Sequence, residues 1–585
     1  MKQAYKINKK QGVLITMDKK QKAITFLMTI GIFLCMLDTT IMNIALPKIQ
    51  KGLNVSFENL SWALNIYTII FAVFTIPFAR IADLLGKNKV YLIGLTAFLL
   101  GSLFSGISVN AAWLIAARGI QSLGAAIVFP ASMTIGIASV NIQNRKTMLT
   151  VLGITQGLAT ALGPTIGGII TQYLGWRYIF LVNLPLIILA VILTFCLLPL
   201  KNEKTVNAKI DFPGMLLSMI MLFSLTLGLI KGNDWGWHSF SIILLGAAVF
   251  LAFGLFIIVE HHSSAPMIPL ALFKNRQFIG AVLATILSSV FLVAVMVIMP
   301  TFFTTLLGKS ELTAAFMITP TSLMIFFLSP VGGRLVETTG PRLMMLLGFL
   351  SMSIGYIVLS LIDPGIYSQL VISLVLIGGG FGIIAGPVVV LGASNFTGEL
   401  LTASQSVLGL FRQIGTLLAV AIFVSALTGN LKTARAHSID TATESINSSA
   451  LPRTSQKIFK ENVQKSIEND GNSKQHPAET ISAAKIKALT KAKYTTVLAQ
   501  MPNNTSLSST AKQKIYAEIS AKVTQESFEQ KQIVKQITTE IKKELRKNLK
   551  AAFMKPYRQA IPFVILAGFS SLLFYRKKDY LNISA

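Results

Sequence analysis

The stretch Leu37-Asp38-Thr39-Thr40-Ile41-Met42-Asn43-Ile44-Ala45-Leu46-Pro47 closes an apolar run that begins at Ala23. A run of that length can cross a bilayer as one helix. Within it stands a carboxylate. An acid at membrane depth costs about 2.5–3.5 kcal/mol on insertion scales, so Asp38 is a functional-site candidate by default.

The rest of the chain supports a membrane setting. The 585 residues are 53% hydrophobic and only 13% charged, with a mean hydropathy of +0.64. Runs of about 20 apolar residues recur between short polar loops, which predicts an all-α polytopic membrane protein. The spacing predicts fourteen spans: 23–46, 60–80, 89–107, 111–139, 147–172, 177–198, 212–230, 239–259, 278–305, 312–333, 342–362, 367–393, 401–428 and 559–575. The run after residue 22 is too long for a signal-peptide core and has no small-x-small cleavage site, so it reads as a retained first helix. The 42 glycines suit helices packed closely in lipid.

Lys87, Lys89, Arg145, Lys146, Lys201, Lys204, Lys209, Lys274, Arg276, Arg334, Arg342 and Arg576-Lys577-Lys578 all fall on the side of the N-terminus. The opposite short loops carry few bases. The positive-inside rule therefore predicts that both termini are cytoplasmic. Residues 429–558 are a hydrophilic insertion with 23 Lys/Arg and 11 Asp/Glu, or +12 of the chain's net +28. The span count puts it outside. A segment this long is exempt from the charge rule. Ile515, Ile519 and Val523, then Val534, Ile537, Ile541, Leu545, Leu549 and Phe553, recur at helical spacing. Breaks are expected at 446–455, 469–478 and 501–509. One reading is a solvated helical hairpin that extends the last two spans. The other is a basic dock for anionic lipid or a wall polymer. Sparse aromatics and the lack of a reading module exclude nucleic acid.

Several chemistries are excluded. Cys35 and Cys196 both lie in apolar spans, and the five histidines show no metal-ligand spacing, so neither a disulfide framework nor a metal site is expected. Gly308-Lys309-Ser310 ends like a phosphate loop, but Phe303 stands at its first glycine. No nucleophile, base and acid meet in one soluble unit, so no enzyme is expected, and no cofactor beyond a coupling proton.

The chain repeats itself. Ala79 to Lys89 (ARIADLLGKNK) follows the second span, and Gly333 to Arg342 (GRLVETTGPR) follows the tenth. Each has a carboxylate, then glycine three residues on, then a base. This predicts two homologous six-helix bundles with spans seven and eight inserted between them, an architecture of alternating access around a midplane site. The expected divisions are an N-terminal segment 1–22, a first bundle 23–199, an inserted pair 200–260, five helices of the second bundle 261–428, the insertion 429–558, and a last helix with its tail 559–585.

These motifs resemble the major facilitator superfamily, in particular its 14-helix drug:proton antiporter branch of the EmrB/QacA type. Leu37 to Pro47 is similar to that branch's first-helix signature. Ala79 to Lys89 matches the superfamily's loop motif, and Arg118 to Ala126 (RGIQSLGAA) its fourth-helix motif. Gly163 to Gly168 (GPTIGG) matches the antiporter motif of helix five, and Trp176 to Pro185 (WRYIFLVNLP) is typical of the branch. The chain departs from the pattern at Ala79, Leu84 and Ser122. The resemblance covers nearly everything outside 429–558. It implies a proton-coupled exporter of amphipathic hydrophobic compounds, a multidrug and antibiotic-resistance pump in a bacterial cell membrane. A lipid or glycolipid flippase of the same fold is the alternative.

Asp38 and Arg118 each lie seven or eight residues from the outer end of their helices, about 10–12 Å deep at 1.5 Å per residue. An acid and a base at one depth can pair or compete for a proton; a purely structural ion pair is the other reading. Asn43 falls about 140° around the helix from Asp38 and reads as helix–helix glue. Asp83, Gly86, Lys87, Glu337 and Arg342 are expected to form the cytoplasmic gate. Tyr67, Gln121, Gln156, Gln405 and Arg412 are cavity candidates, and Arg412 is as readily structural as functional. In helix five, Gly153/Gly157 and Gly163/Gly167 have close-packing spacing around Pro164; the resemblance implies that Gly163, Pro164, Gly167 and Gly168 form a tight bend that blocks proton leak. Asp38 is the one clear acid well inside a span, which favours monovalent cations or neutral compounds as cargo.

Overall fold

A computed structural model describes residues 17–55, 57–141, 144–201, 203, 205, 211–263, 266–468, 483–500 and 508–584. Among them there is no strand. Thirteen helices among the described residues are long and apolar enough to cross a membrane by length and composition. The chain falls into two compact units, Met1–Ser425 with Tyr557–Ala585, and Ala426–Pro556.

In the larger unit, α1 (Lys19–Leu53) starts on a capping box. The Asp18 carboxylate accepts from the Gln21 amide at 2.6 Å, satisfying a backbone donor that the helix start leaves open. Then come α2 (Phe57–Leu85), α3 (Lys87–Gly106), α4 (Ala111–Ala138) and α5 (Arg145–Tyr173). A single turn, Tyr178–Leu181, precedes α6 (Asn183–Leu197). Helix α1 packs along α5 and α6, while α4 packs between α2 and α3.

Helices α7 (Phe212–Trp235) and α8 (Phe240–His262) are the inserted pair. They pack on each other, and α7 also leans on α2. The apolar window of α8 is the most hydropathic of the thirteen, yet only 17% of it is buried. A helix apolar on every side and covered on few is one that lipid must cover.

The second half consists of α9 (Arg276–Thr301), α10 (Glu311–Thr339), α11 (Pro341–Leu361), α12 (Tyr367–Ala393) and α13 (Gly398–Ala419). A π turn, Val420–Val424, continues α13 directly into α14 (Ser425–Asn447). Helix α12 lies between α10 and α11, and α9 lies along α13. The halves meet where α5 packs on α10 and α12, and where α13 packs on α2 and α4.

The smaller unit comprises most of α14, then α15 (Arg453–Glu468), α16 (Ala483–Ala499) and the first part of α17 (Ser509–Ala567). Its helical stripe is real: Val523, Val534, Ile537, Ile541, Leu545, Leu549 and Phe553 are buried. Ile515 and Ile519 are only half-buried. Lys493 pairs with Glu526 at 2.8 Å and Tyr494 meets Tyr516 edge-on, which ties α16 to α17. The break expected at 446–455 lies between α14 and α15; those at 469–478 and 501–509 fall wholly or mostly outside the described residues.

Two expectations need correction. The fourteenth span is not a separate helix over 559–575. It is the end of α17, finished by a 3-10 stretch, Gly568–Leu573, before the short α18 (Lys577–Ser584). Asn43 is not glue between helices: it is exposed. Its 140° offset turns it off the packed face of α1 that carries Asp38, Ile41, Met42 and Ala45.

Candidate functional site

Asp38 and Arg118 are both buried, at 0% and 1% exposure, and form a direct ion pair. The site is built by five helices of the first half, with Asp38 on α1. From α4, one turn along from Arg118, Gln121 bridges the pair. Its Nε2 donates to Asp38 Oδ1 at 3.0 Å, and its Oε1 accepts from Arg118 Nη1 at 2.7 Å. Ser102 of α3 accepts the second proton of the same amide at 2.9 Å. From α6, Asn183 Nδ2 donates to Asp38 Oδ1 at 3.4 Å, while its Oδ1 is buried without a partner. Arg118 Nε donates to the Ala63 carbonyl of α2 at 3.3 Å.

Aromatic rings close the pair off. The Arg118 guanidinium lies 4.2 Å above the Tyr67 ring and 5.6 Å from that of Phe180. Such stacking offsets part of the cost of stripping water from a guanidinium. Tyr67 Oη donates to the Cys35 carbonyl at 3.3 Å, which fixes the ring. Ser122, at one of the motif departures, donates to the Tyr67 carbonyl at 2.5 Å and so pins α4 to α2. Asp38 therefore has a charge partner and two amide donors.

The other sequence-predicted residues lie apart. Gln156 is buried with its amide 3.5 Å from Met133 Sδ, and Gln405 donates to the Val389 carbonyl at 3.3 Å. Arg412 is also buried, and its Nη1 has no hydrogen-bond partner. Asp83 pairs with Lys87 at 3.1 Å across Gly86, whose φ of +107° is one that a side chain rarely adopts. Arg342 does not close a gap between loops. Its Nε and Nη2 donate to the carbonyls of Phe574 and Leu572, satisfying the end of the last span. Glu337 is exposed at the end of α10.

Helix α5 presents glycines in two directions. A Cβ on Gly163 would collide with Thr40, and one on Gly167 would come within 2.5 Å of the Ile41 carbonyl, so this pair seats α1 directly beside Asp38. Thr40 Oγ1 donates to the Thr160 carbonyl in the same contact. Gly168, Gly153 and Gly157 face the second half instead. Their nearest neighbours are Ala315, Val389 and Ile325. Pro164 lies inside the helix, next to Gly163.

Ser102, Asn183, Phe180 and Glu203 escaped the sequence reading. Asn183 and Phe180 sit in the Trp176 to Pro185 motif, which was legible as a motif but offered no way to see that it reaches Asp38. Glu203 comes from the loop after α6. Its Oε2 and Oε1 accept from the backbone amides of Asn88 and Lys89 at 2.8 and 3.0 Å, capping α3 beside the Asp83–Lys87 pair.

The Major Facilitator Superfamily sequence model matches residues 28–420. The chain belongs to the Major Facilitator Superfamily. The match ends before the insertion and the last span, so it describes the part of this superfamily member that holds the ion pair. Similar proteins include the multidrug resistance protein Stp of Mycobacterium tuberculosis, 32% identical over 403 residues, 68% of this chain and 74% of that one. The multidrug transporter protein MdtP of Bacillus subtilis is 31% identical over 426 residues, 71% and 78% of the two chains. The methylenomycin A resistance protein of Bacillus subtilis is 30% identical over 410 residues, 68% and 86%.

Proposed function

We propose that this protein is a proton-coupled exporter of amphipathic hydrophobic compounds in a bacterial cell membrane, with both termini cytoplasmic. The observation that carries the reading is the sealed Asp38–Arg118–Gln121–Asn183 network at membrane depth. A carboxylate is expensive there, and a site built around it is the usual mark of an ion pathway. Multidrug resistance and transport proteins among the relatives support the cargo class.

The chemistry is a competition. The ion pair with Arg118 is the deprotonated form of the site. When a proton arrives, the Asp38 carboxylate takes it and the attraction to the guanidinium falls away. Arg118 keeps the Ala63 carbonyl and the Gln121 amide oxygen as acceptors, so it is not stranded. The loosened pair frees α1 and α4 to move relative to each other, and cargo is released toward the proton-rich side. Loss of the proton on the other side restores the pair and the cargo-binding state. The membrane potential supplies about 2.3 kcal/mol per charge per 100 mV for the cycle.

The test is efflux of an ethidium-type cation from cells expressing the wild type or Asp38→Asn, with and without a protonophore. Efflux by the wild type that stops with either change supports the reading. Efflux that survives Asp38→Asn in a protonophore-sensitive manner moves the coupling site elsewhere, and the absence of any efflux from well-expressed protein sinks the exporter.

A further inference from the structure

Arg412 stands in the second half with no counterpart to the first half's carboxylate. It is 9% exposed, its Nη1 is buried without a hydrogen-bond partner, and among the described residues no carboxylate pairs with it. It lies fourteen residues into α13, about 21 Å along a span that continues to Val424.

The neighbours of α13 show where Arg412 projects. Gln405, Gly409 and Arg412 follow one another at i, i+4 and i+7, so they share a stripe. Gln405 donates to Val389 of α12, and Gly409 meets the ring of Phe129 of α4. One turn beyond Arg412, Gly415 packs against the Ile286 carbonyl and Ser289 of α9. Arg412 therefore stands on the stripe of α13 that meets α12 at Gln405 and α4 at Gly409, with α9 one turn further on.

A guanidinium stays charged in any protein environment, and a lone buried charge costs several kcal/mol. Asp38 and Arg118 neutralise each other, so the mid-span region carries one uncompensated positive charge, at Arg412. Arginine presents a planar fork that matches a carboxylate with two parallel hydrogen bonds. We propose that Arg412 is an anion subsite for cargo: it receives the carboxylate of an amphipathic compound whose apolar body lies between the halves. The inference rests on the exporter reading and narrows its cargo, from cations and neutral compounds toward those that also carry an acidic group.

The test uses two rhodamines on one scaffold, one with a free carboxylate and one with that group esterified. Binding to the purified full-length protein is read by fluorescence polarisation for the wild type, Arg412→Gln and Arg412→Lys. A fork to a carboxylate predicts that Arg412→Gln weakens the carboxylate dye at least about tenfold while the ester stays within about twofold, with Arg412→Lys intermediate. The unchanged ester also shows that the variant is folded. Equal loss of both dyes would make Arg412 structural and overturn the proposal. So would equal binding in all three proteins, or no carboxylate-dye binding by the wild type. Export is scored separately: ester efflux with binding indifferent to Arg412 keeps the exporter and sinks the subsite, and Arg412-dependent binding without efflux of either dye does the reverse.

Discussion

Asp38 and Arg118 are each costly alone and tolerable together. Removing one member of a buried pair strands the other, at about 3–5 kcal/mol, whereas replacing both with apolar residues of similar volume is often neutral. Arg118→Met alone should therefore lower the thermal midpoint of the purified protein sharply. Asp38→Leu combined with Arg118→Met should recover most of it and still transport nothing. A double variant as unstable as the single one would show that stability at this site comes from the Tyr67 and Phe180 stacking rather than from charge. Much of this site was legible beforehand. A rise of 1.5 Å per residue fixes depth, so an acid and a base equally far from the outer ends of their helices had to lie level. Gln121 follows from Arg118 by one helical turn. Tyr67 was legible as polar but not as the plate beneath the guanidinium, because a ring's partner is set by packing between helices.

Helix α3 shows how an element can depend on a residue more than a hundred positions away. Gly86 turns the chain with a φ of +107°, and a Cβ there would come within 2.8 Å of Glu203. Glu203 then satisfies the amides of Asn88 and Lys89, two of the open donors in the first turn of α3. Glu203→Ala should cost about 1 kcal/mol, the usual value of a helix cap, and should be measurable by thermal unfolding in detergent. A midpoint unchanged within error would show that water caps α3 equally well. No periodicity pointed to Glu203, since a cap donated across the fold leaves no local pattern. The inserted pair was plain by contrast, because a helix apolar all round declares itself in composition. The fusion of the last span into α17 was hidden for the opposite reason. Lys555, Arg558 and Gln559 interrupt the apolar run without interrupting the helix, which runs on through Pro556 and Pro562.

Over the whole molecule, the halves touch at both ends of α5: Gly168 meets Ala315 near its last turns, and Gly153 and Thr150 meet the second half near its first. Gly153 meets Val389, Gly333 meets Thr150, and Gly409 meets Phe129. A Cβ built on Gly153 lies 3.2 Å from Val389 Cβ, close to the 3.5–4.5 Å that a disulfide spans. Gly153→Cys with Val389→Cys, in a background lacking Cys35 and Cys196, should cross-link on mild oxidation. Transport should stop when it forms and return on reduction. Transport that continues through the cross-link would mean that this end need not open.

Every group that holds Asp38 comes from the first half: Arg118, Gln121, Asn183 and the rings of Tyr67 and Phe180. Among the described residues, the other buried carboxylates, Asp211 and Glu260, stand at helix ends. An exporter with a single proton seat exchanges one proton per cycle, and that ratio caps what it can accumulate. At a total driving force of about 200 mV, one proton yields about 4.6 kcal/mol, which for a neutral cargo holds a concentration ratio of about 2,000 and no more. Two seats would square that figure. If the proposed proton coupling runs through Asp38, the solitary acid of the first helix sets a ceiling on the gradient the cell can maintain, however tightly the cargo binds.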